Sequence, residues 1–147
     1  MRMSFRSTVG AIACTVSLLA PAALTAPSAS AAHSVGTPGQ VAWVRSAASR
    51  FVTAELAGDG ASVCGILNAP LRATEHGRTC TQRWNTRLSE LLGQTGARAR
   101  LRSQKHAISS AVVVVHGNGA TIALSAPLMR DASNRFVWTE NCWMLAG

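Results

Sequence analysis

The apolar positions of this chain change rhythm twice. From Val9 to Ala20 they form a stretch without a single charge, closed by Pro21. From Val41 to Leu92 they recur every three or four residues, the period of a helix with one buried face. From Ala97 onward they alternate with polar residues, the period of a strand.

The helical region has clear punctuation. Thr37 is a good N-cap, Pro38 suits the first helical position, and Gln40 stands where a capping box needs it. Val41, Val44, Ala48, Phe51, Val52 and Glu55 then share one face, and Gly58 is a natural stop, so the spacing predicts a helix over 38–57. Every member of that stripe except Glu55 is apolar. Asp59 can cap a short second helix carrying Val63, Cys64, Ile66 and Leu67, which Asn68-Ala69-Pro70 breaks. Thr79 and Gln82 repeat the capping box. They open a third helix over 80–92, with Cys80, Trp84, Leu88, Leu91 and Leu92 on its stripe and Gly93 at its end. Arg83 and Arg87 lie one turn apart beside that stripe, with Glu90 available to Arg87.

Beyond Gly93, Arg98, Arg100 and Arg102 alternate with Ala97, Ala99 and Leu101. Alternation predicts a strand with the three arginines on one face. Ala111 to Val115 is rich in β-branched residues, and His116-Gly117-Asn118-Gly119 signals a hairpin turn. Ala120 to Ala126 alternates again and ends at Pro127. Arg130 to Asn134 is turn-like, Arg135 to Thr139 reads as a strand, and Cys142 to Leu145 returns after Glu140-Asn141. A two-residue turn there pairs Trp138 with Trp143 and Phe136 with Leu145. Those four then share one face, while Val137, Cys142 and Met144 share the other. The two tryptophans either pack on the first helix through Phe51 and Val44 or form the aromatic wall of a cavity. Helices followed by a meander define an α+β fold, with N-terminal helices packed on one face of a curved antiparallel sheet.

The charge-free stretch at the start belongs to an export signal. Arg2 and Arg6 precede it, and Ala29-Ser30-Ala31 fits the small-x-small pattern of a cleavage site. A membrane span would need about 20 apolar residues, and a lipid anchor would need a cysteine at the cleavage point, whereas Cys14 sits inside the run. Residues 1–31 are thus expected to be removed, 32–37 to form a loose mature N-terminus, and 38–147 to fold as one domain. The destination is extracellular, where thiols oxidise. Cys64, Cys80 and Cys142 remain, enough for one disulfide with three possible pairings. Neither C-x-x-C nor H-x-x-x-H is present, so the spacing favours no metal, and no cofactor motif is legible.

Composition adds a basic balance. The formal charge is +8, and thirteen of the fourteen basic residues are arginine. Loss of Arg2 and Arg6 takes the charge to +6, and eight of the remaining basic residues fall between Arg72 and Lys105. A preference for Arg and Ala is also what a GC-rich genome writes, so a solvated basic face is the plain reading. The functional one is an anionic partner, with Arg83, Arg87, Arg98, Arg100 and Arg102 as the candidate binding set. A single neighbouring aromatic, Trp84, belongs to a core stripe, and no nucleic-acid module is legible. Ser109 and Ser110 lie in no G-x-S-x-G elbow, and Gly117-x-Gly119 opens no helix, which removes the hydrolase and dinucleotide motifs.

Phe51, Val52, Glu55, Leu56, Gly58 and Asp59, then Cys64 with Leu67, Gly77 with Cys80, and the closing Arg135-Phe136-Val137-Trp138 and Trp143-Met144-Leu145 carry a resemblance across nearly the whole mature chain. In element order and cysteine placement it resembles the NTF2-like (cystatin-like α+β) superfamily, in particular its small exported actinobacterial proteins. The resemblance implies a cone with a cavity that serves isomerases, dehydratases and many noncatalytic binding modules alike. Enzymes of this kind work from the mouth of the cone through an Asp, Glu or His. Here His76, next to Glu75, falls between helices, and His116, Asp131 and Glu140 fall in turns. His106 alone falls where a strand side chain enters the cavity, which it would line with Trp138 and Trp143. Cys64 and Cys80, on helical segments joined by a short connector, are the expected disulfide, with Cys142 outside it. The expectation is a secreted, noncatalytic NTF2-like module that binds a small ligand or protein partner. The alternatives are a small lyase or isomerase using His106, and a binder of anionic wall polymer or nucleic acid through the arginine face.

Overall fold

The computed structural model describes residues 34–73, 76–129, 134–139 and 142–146. The expected export signal, residues 1–31, and the Glu140-Asn141 connection lie outside them. Among the described residues no helix is long and apolar enough to cross a membrane.

Helix α1 spans Pro38–Ala57. The Thr37 side chain accepts from the Gln40 N–H and the Gln40 side-chain oxygen, Oε1, accepts from the Thr37 N–H, the reciprocal cap that the sequence predicts. Gly58 takes the left-handed conformation, φ 71°, and returns its N–H to the last turn. Asp59 caps α2, Gly60–Ile66, by accepting from the Ala61 and Ser62 N–H groups. Pro70 does not simply break the chain: with Asn68 as cap it starts a single turn, α3, Ala69–Arg72. The second capping box, Thr79 with Gln82, opens α4, Cys80–Gly93.

The next element corrects the sequence reading. Residues 97–102 are not a strand but the first half of helix α5, Ala97–Ile108. Ala97, Leu101 and Ile108 are its buried positions, which is helical spacing. Up to Ala107 the segment holds no β-branched residue, and Ala, Leu, Arg, Gln and Lys are strong helix formers. The alternating arginines therefore share no strand face. On a helix Arg98 and Arg102 lie one turn apart and Arg100 points away from both.

Four strands follow, β1 Val113–His116, β2 Gly119–Ile122, β3 Arg135–Thr139 and β4 Cys142–Ala146, in one open antiparallel sheet of order β1-β2-β3-β4. The first hairpin turns at Gly117-Asn118, with Gly117 at φ 56°. The second has the expected register, Trp138 opposite Trp143 and Phe136 opposite Leu145. β2 stops at Ile122, short of the predicted Ala126. Both outer edges are partly covered. Val35 bridges β1, donating to Val113 O at 2.9 Å and accepting from the Val115 N–H at 2.8 Å, so this part of the expected loose lead-in is held to the sheet. Leu67 bridges Leu145 at the other edge, where the Asn68 N–H meets Leu145 O at 3.0 Å. Such bridges use backbone groups that an open sheet would otherwise offer to another chain.

The core lies between α1 and the sheet and continues beneath α2, α4 and α5. Phe51, Val44 and Val52 of α1 meet Phe136, Leu145 and Val113 of the sheet in one buried cluster with Val63, Leu88 and Ile108. The disulfide is Cys64–Cys80, with Cα atoms 6.1 Å apart. It ties α2 to α4 where Gly60 lets the two backbones approach. A Cβ at Gly60 would lie against Asn85 Oδ1 and 2.9 Å from the Asn85 backbone nitrogen.

Candidate functional site

The buried face of α1 runs Val41, Val44, Ala47, Ala48, Phe51, Val52, Ala54 and then Glu55. Glu55 is 5% exposed and is the buried charged residue among the described positions. Removal from water disfavours its carboxylate and pushes its pKa up to about 8, against the opposing pull of the Arg87 charge. At neutral pH Glu55 is thus mainly a carboxylic acid, a donor where an ionised glutamate would only accept.

Glu55 lines an open cleft of about 670 Å³ bounded by α4, α5 and the segment 126–128. Arg83, Arg87, Glu90 and Leu91 come from α4; Ala97, Arg100, Leu101 and Gln104 come from α5; Arg78 stands just before α4. Among the described residues, four arginines therefore surround the cleft against one exposed carboxylate, Glu90. Arg83, Arg87 and Arg100 are braced. Arg83 Nη2 donates to Leu71 O at 3.2 Å and to Ala73 O at 2.6 Å, holding the end of α3 to α4. The Arg87 guanidinium lies 4.8 Å from the centre of the Trp84 ring, a cation–π contact, and Trp84 meets Phe51 edge-on at 5.7 Å. Arg100 donates to Thr95 O at 3.2 Å. Gln104 Nε2 donates to Ala126 O and Pro127 O, at 3.3 and 3.2 Å, and secures the opposite wall.

Of the five arginines singled out from sequence, Arg83, Arg87 and Arg100 line this cleft and Arg98 and Arg102 do not. Arg98 donates to Leu56 O at 2.9 Å, where a cation suits the carbonyl end of α1. Arg102 is exposed on α5. Arg78 and Glu55 complete the set and were not among the candidates. Arg78 belongs to the basic cluster between Arg72 and Lys105, but it stands alone in the connector, on no predicted helix or strand face. Glu55 did carry one: it is the only charge on the apolar stripe of α1.

No family model matches the chain, nor does any curated protein or solved structure. The site has to be read from its own chemistry.

Of the proton-carrier candidates, His106 stands elsewhere than expected. His106 is exposed near the end of helix α5, and it lines neither this cleft nor the aromatic one described next. Its placement on a strand entering a cavity is corrected with the strand itself. His76 and His116 are exposed. Glu75, Asp131 and Glu140 lie outside the described residues. Among those described, no three His, Cys, Asp or Glu side chains gather in a way that could hold a metal. Cys142 is half-buried on β4, outside the disulfide.

Trp138 and Trp143 do line a cleft, a second one of about 420 Å³ near the start of α1. Its walls are Thr37, Gly39, Gln40, Trp43, Gly117, Asn118, Trp138 and Trp143. Trp43 stacks on Trp138 with ring centres 5.2 Å apart and planes 18° apart, and Trp138 meets Trp143 edge-on at 5.5 Å. Trp143 is buried and belongs to the core as well, whereas Trp43 is 45% exposed.

Proposed function

We propose that the chain is an exported, noncatalytic binding module of the NTF2-like kind, and that it takes a small anionic ligand in the arginine cleft. The observation that carries this reading is the convergence of Arg78, Arg83, Arg87 and Arg100 around Glu55. Guanidinium groups present paired donors to a carboxylate or phosphate. Protonated Glu55 adds a donor and no repelling charge. The cleft volume of about 670 Å³ is that of a small-molecule site. Export is supported by the basic start, charge-free run and Ala29-Ser30-Ala31, together with the disulfide. The NTF2-like assignment is supported by helices that precede an antiparallel meander.

An extended polyanion surface is less well supported. Its basis was a strand face of Arg98, Arg100 and Arg102, and these residues diverge on α5. Titration calorimetry of the exported protein with citrate, inorganic phosphate and heparin separates the readings. Saturable binding of citrate or phosphate, lost in an Arg87→Ala/Arg100→Ala variant, is the expected result. Heparin binding alone, surviving that double change and falling steeply with salt, would favour the polymer.

A second reading, a small lyase or isomerase, draws on one observation. A buried carboxyl with a pKa of about 8 in a cleft is matched to moving a proton near neutral pH. That role belongs to Glu55 and not to His106. Glu55→Gln would abolish turnover in such an enzyme and leave anion affinity within a few-fold in a binding module.

A further inference from the structure

We infer that the tryptophan cleft is a second binding site, built for a neutral saccharide. Among the described residues no charged side chain lines it, unlike the arginine cleft. Its walls combine indole faces with the amides of Gln40 and Asn118 and the hydroxyl of Thr37. An indole face is electron-rich and attracts the weakly positive C–H bonds on one face of a sugar ring. Neutral amides and hydroxyls around such a face exchange hydrogen bonds with sugar hydroxyls without paying to desolvate a charge.

Two features point to an acceptor-bearing occupant. Trp143 is 3% exposed, and its Nε1–H is buried without a hydrogen-bond partner. Buried donors are nearly always paired, so an unpaired one in a cleft wall calls for an explanation. Gln40 commits its carbonyl oxygen to the α1 cap, which leaves its amide hydrogens to donate. Trp43 stands exposed at the rim, its ring stacked on Trp138. A volume of about 420 Å³ accommodates one or two sugar rings and not a long polymer segment.

The test is titration of the full exported protein with cellohexaose, maltohexaose, chitohexaose and, as the competing chemistry, decaproline, which also stacks on tryptophan and offers acceptors. Tryptophan fluorescence and calorimetry are the readouts. The expected result is saturable binding of at least one of the three oligosaccharides, weakened about tenfold or more by Trp43→Ala and less by Trp43→Phe, since stacking supplies much of the affinity. Arg87→Ala should leave this binding unchanged, which keeps the outcome separate from that of the arginine cleft. Absence of saturation with all three sugars, binding of decaproline alone, or sugar binding indifferent to Trp43→Ala would each overturn the assignment. Trp43 is a rim residue, so circular dichroism of the variant should match that of the parent, and the comparison does not depend on a fragile fold.

Discussion

Replacing Glu55 by Gln should make the protein more stable at neutral pH and nearly flat in its response to pH. The carboxyl titrates near 4.5 in the unfolded chain and about 8 in the folded one. Between those values the native state holds a proton that the unfolded state has released. Stability therefore falls as pH rises, by ~1.4 kcal/mol per pH unit. The loss begins above about pH 4.5, reaches roughly 3 kcal/mol by pH 7, and levels off at roughly 5 kcal/mol above pH 8. Glu55 is only 5% exposed, so solvent screening removes little of this. Glutamine keeps the shape and cannot ionise. Its amide adds a buried donor that costs about 1 kcal/mol if unpaired, so the net gain at pH 7 is about 2 kcal/mol. Urea unfolding, followed by tryptophan fluorescence at pH 4.5, 6, 7 and 8, measures both proteins. The difference between the two proteins isolates the contribution of residue 55. A parent protein equally stable from pH 5 to 8, or a Gln variant with the parent's slope, would refute the argument that burial dominates this carboxyl.

Two further outcomes test the packing. Trp143→Ala should cost about 3–5 kcal/mol in urea unfolding, because the indole is buried in the core as well as lining the cleft; an unweakened variant would mean that the ring serves binding alone. Cys64→Ser should cost roughly 3 kcal/mol by freeing the loop between α2 and α4, and nonreducing peptide mapping of the parent should recover the 64–80 crosslink.

The ends of α1 and α4 were legible because their signals are local. Thr37 with Gln40, and Thr79 with Gln82, satisfy backbone donors within one turn, so neighbouring residues suffice to set the boundary. The register of β3 and β4 was legible for a similar reason. A two-residue connection and the strict alternation of Phe136, Trp138, Trp143 and Leu145 leave one pairing that keeps the large side chains together. The disulfide followed from two helices brought close by a short connector.

Only the tertiary structure decided α5 and the clefts. Residues three or four apart on a helix and two apart on a strand both satisfy the short pattern from Ala97 to Arg102. The alternation ends at Arg102, while the helix runs on to Ile108, buried further along the chain. Ionisation of Glu55 depends on how completely the fold excludes water from one position of α1, which no local pattern states. The arginine cleft joins α1, α4, α5 and the 126–128 segment, and the aromatic cleft joins the first turn of α1 to both hairpins. Capping and alternation are properties of neighbours in sequence. A cleft is a property of surfaces that meet only after the core has packed.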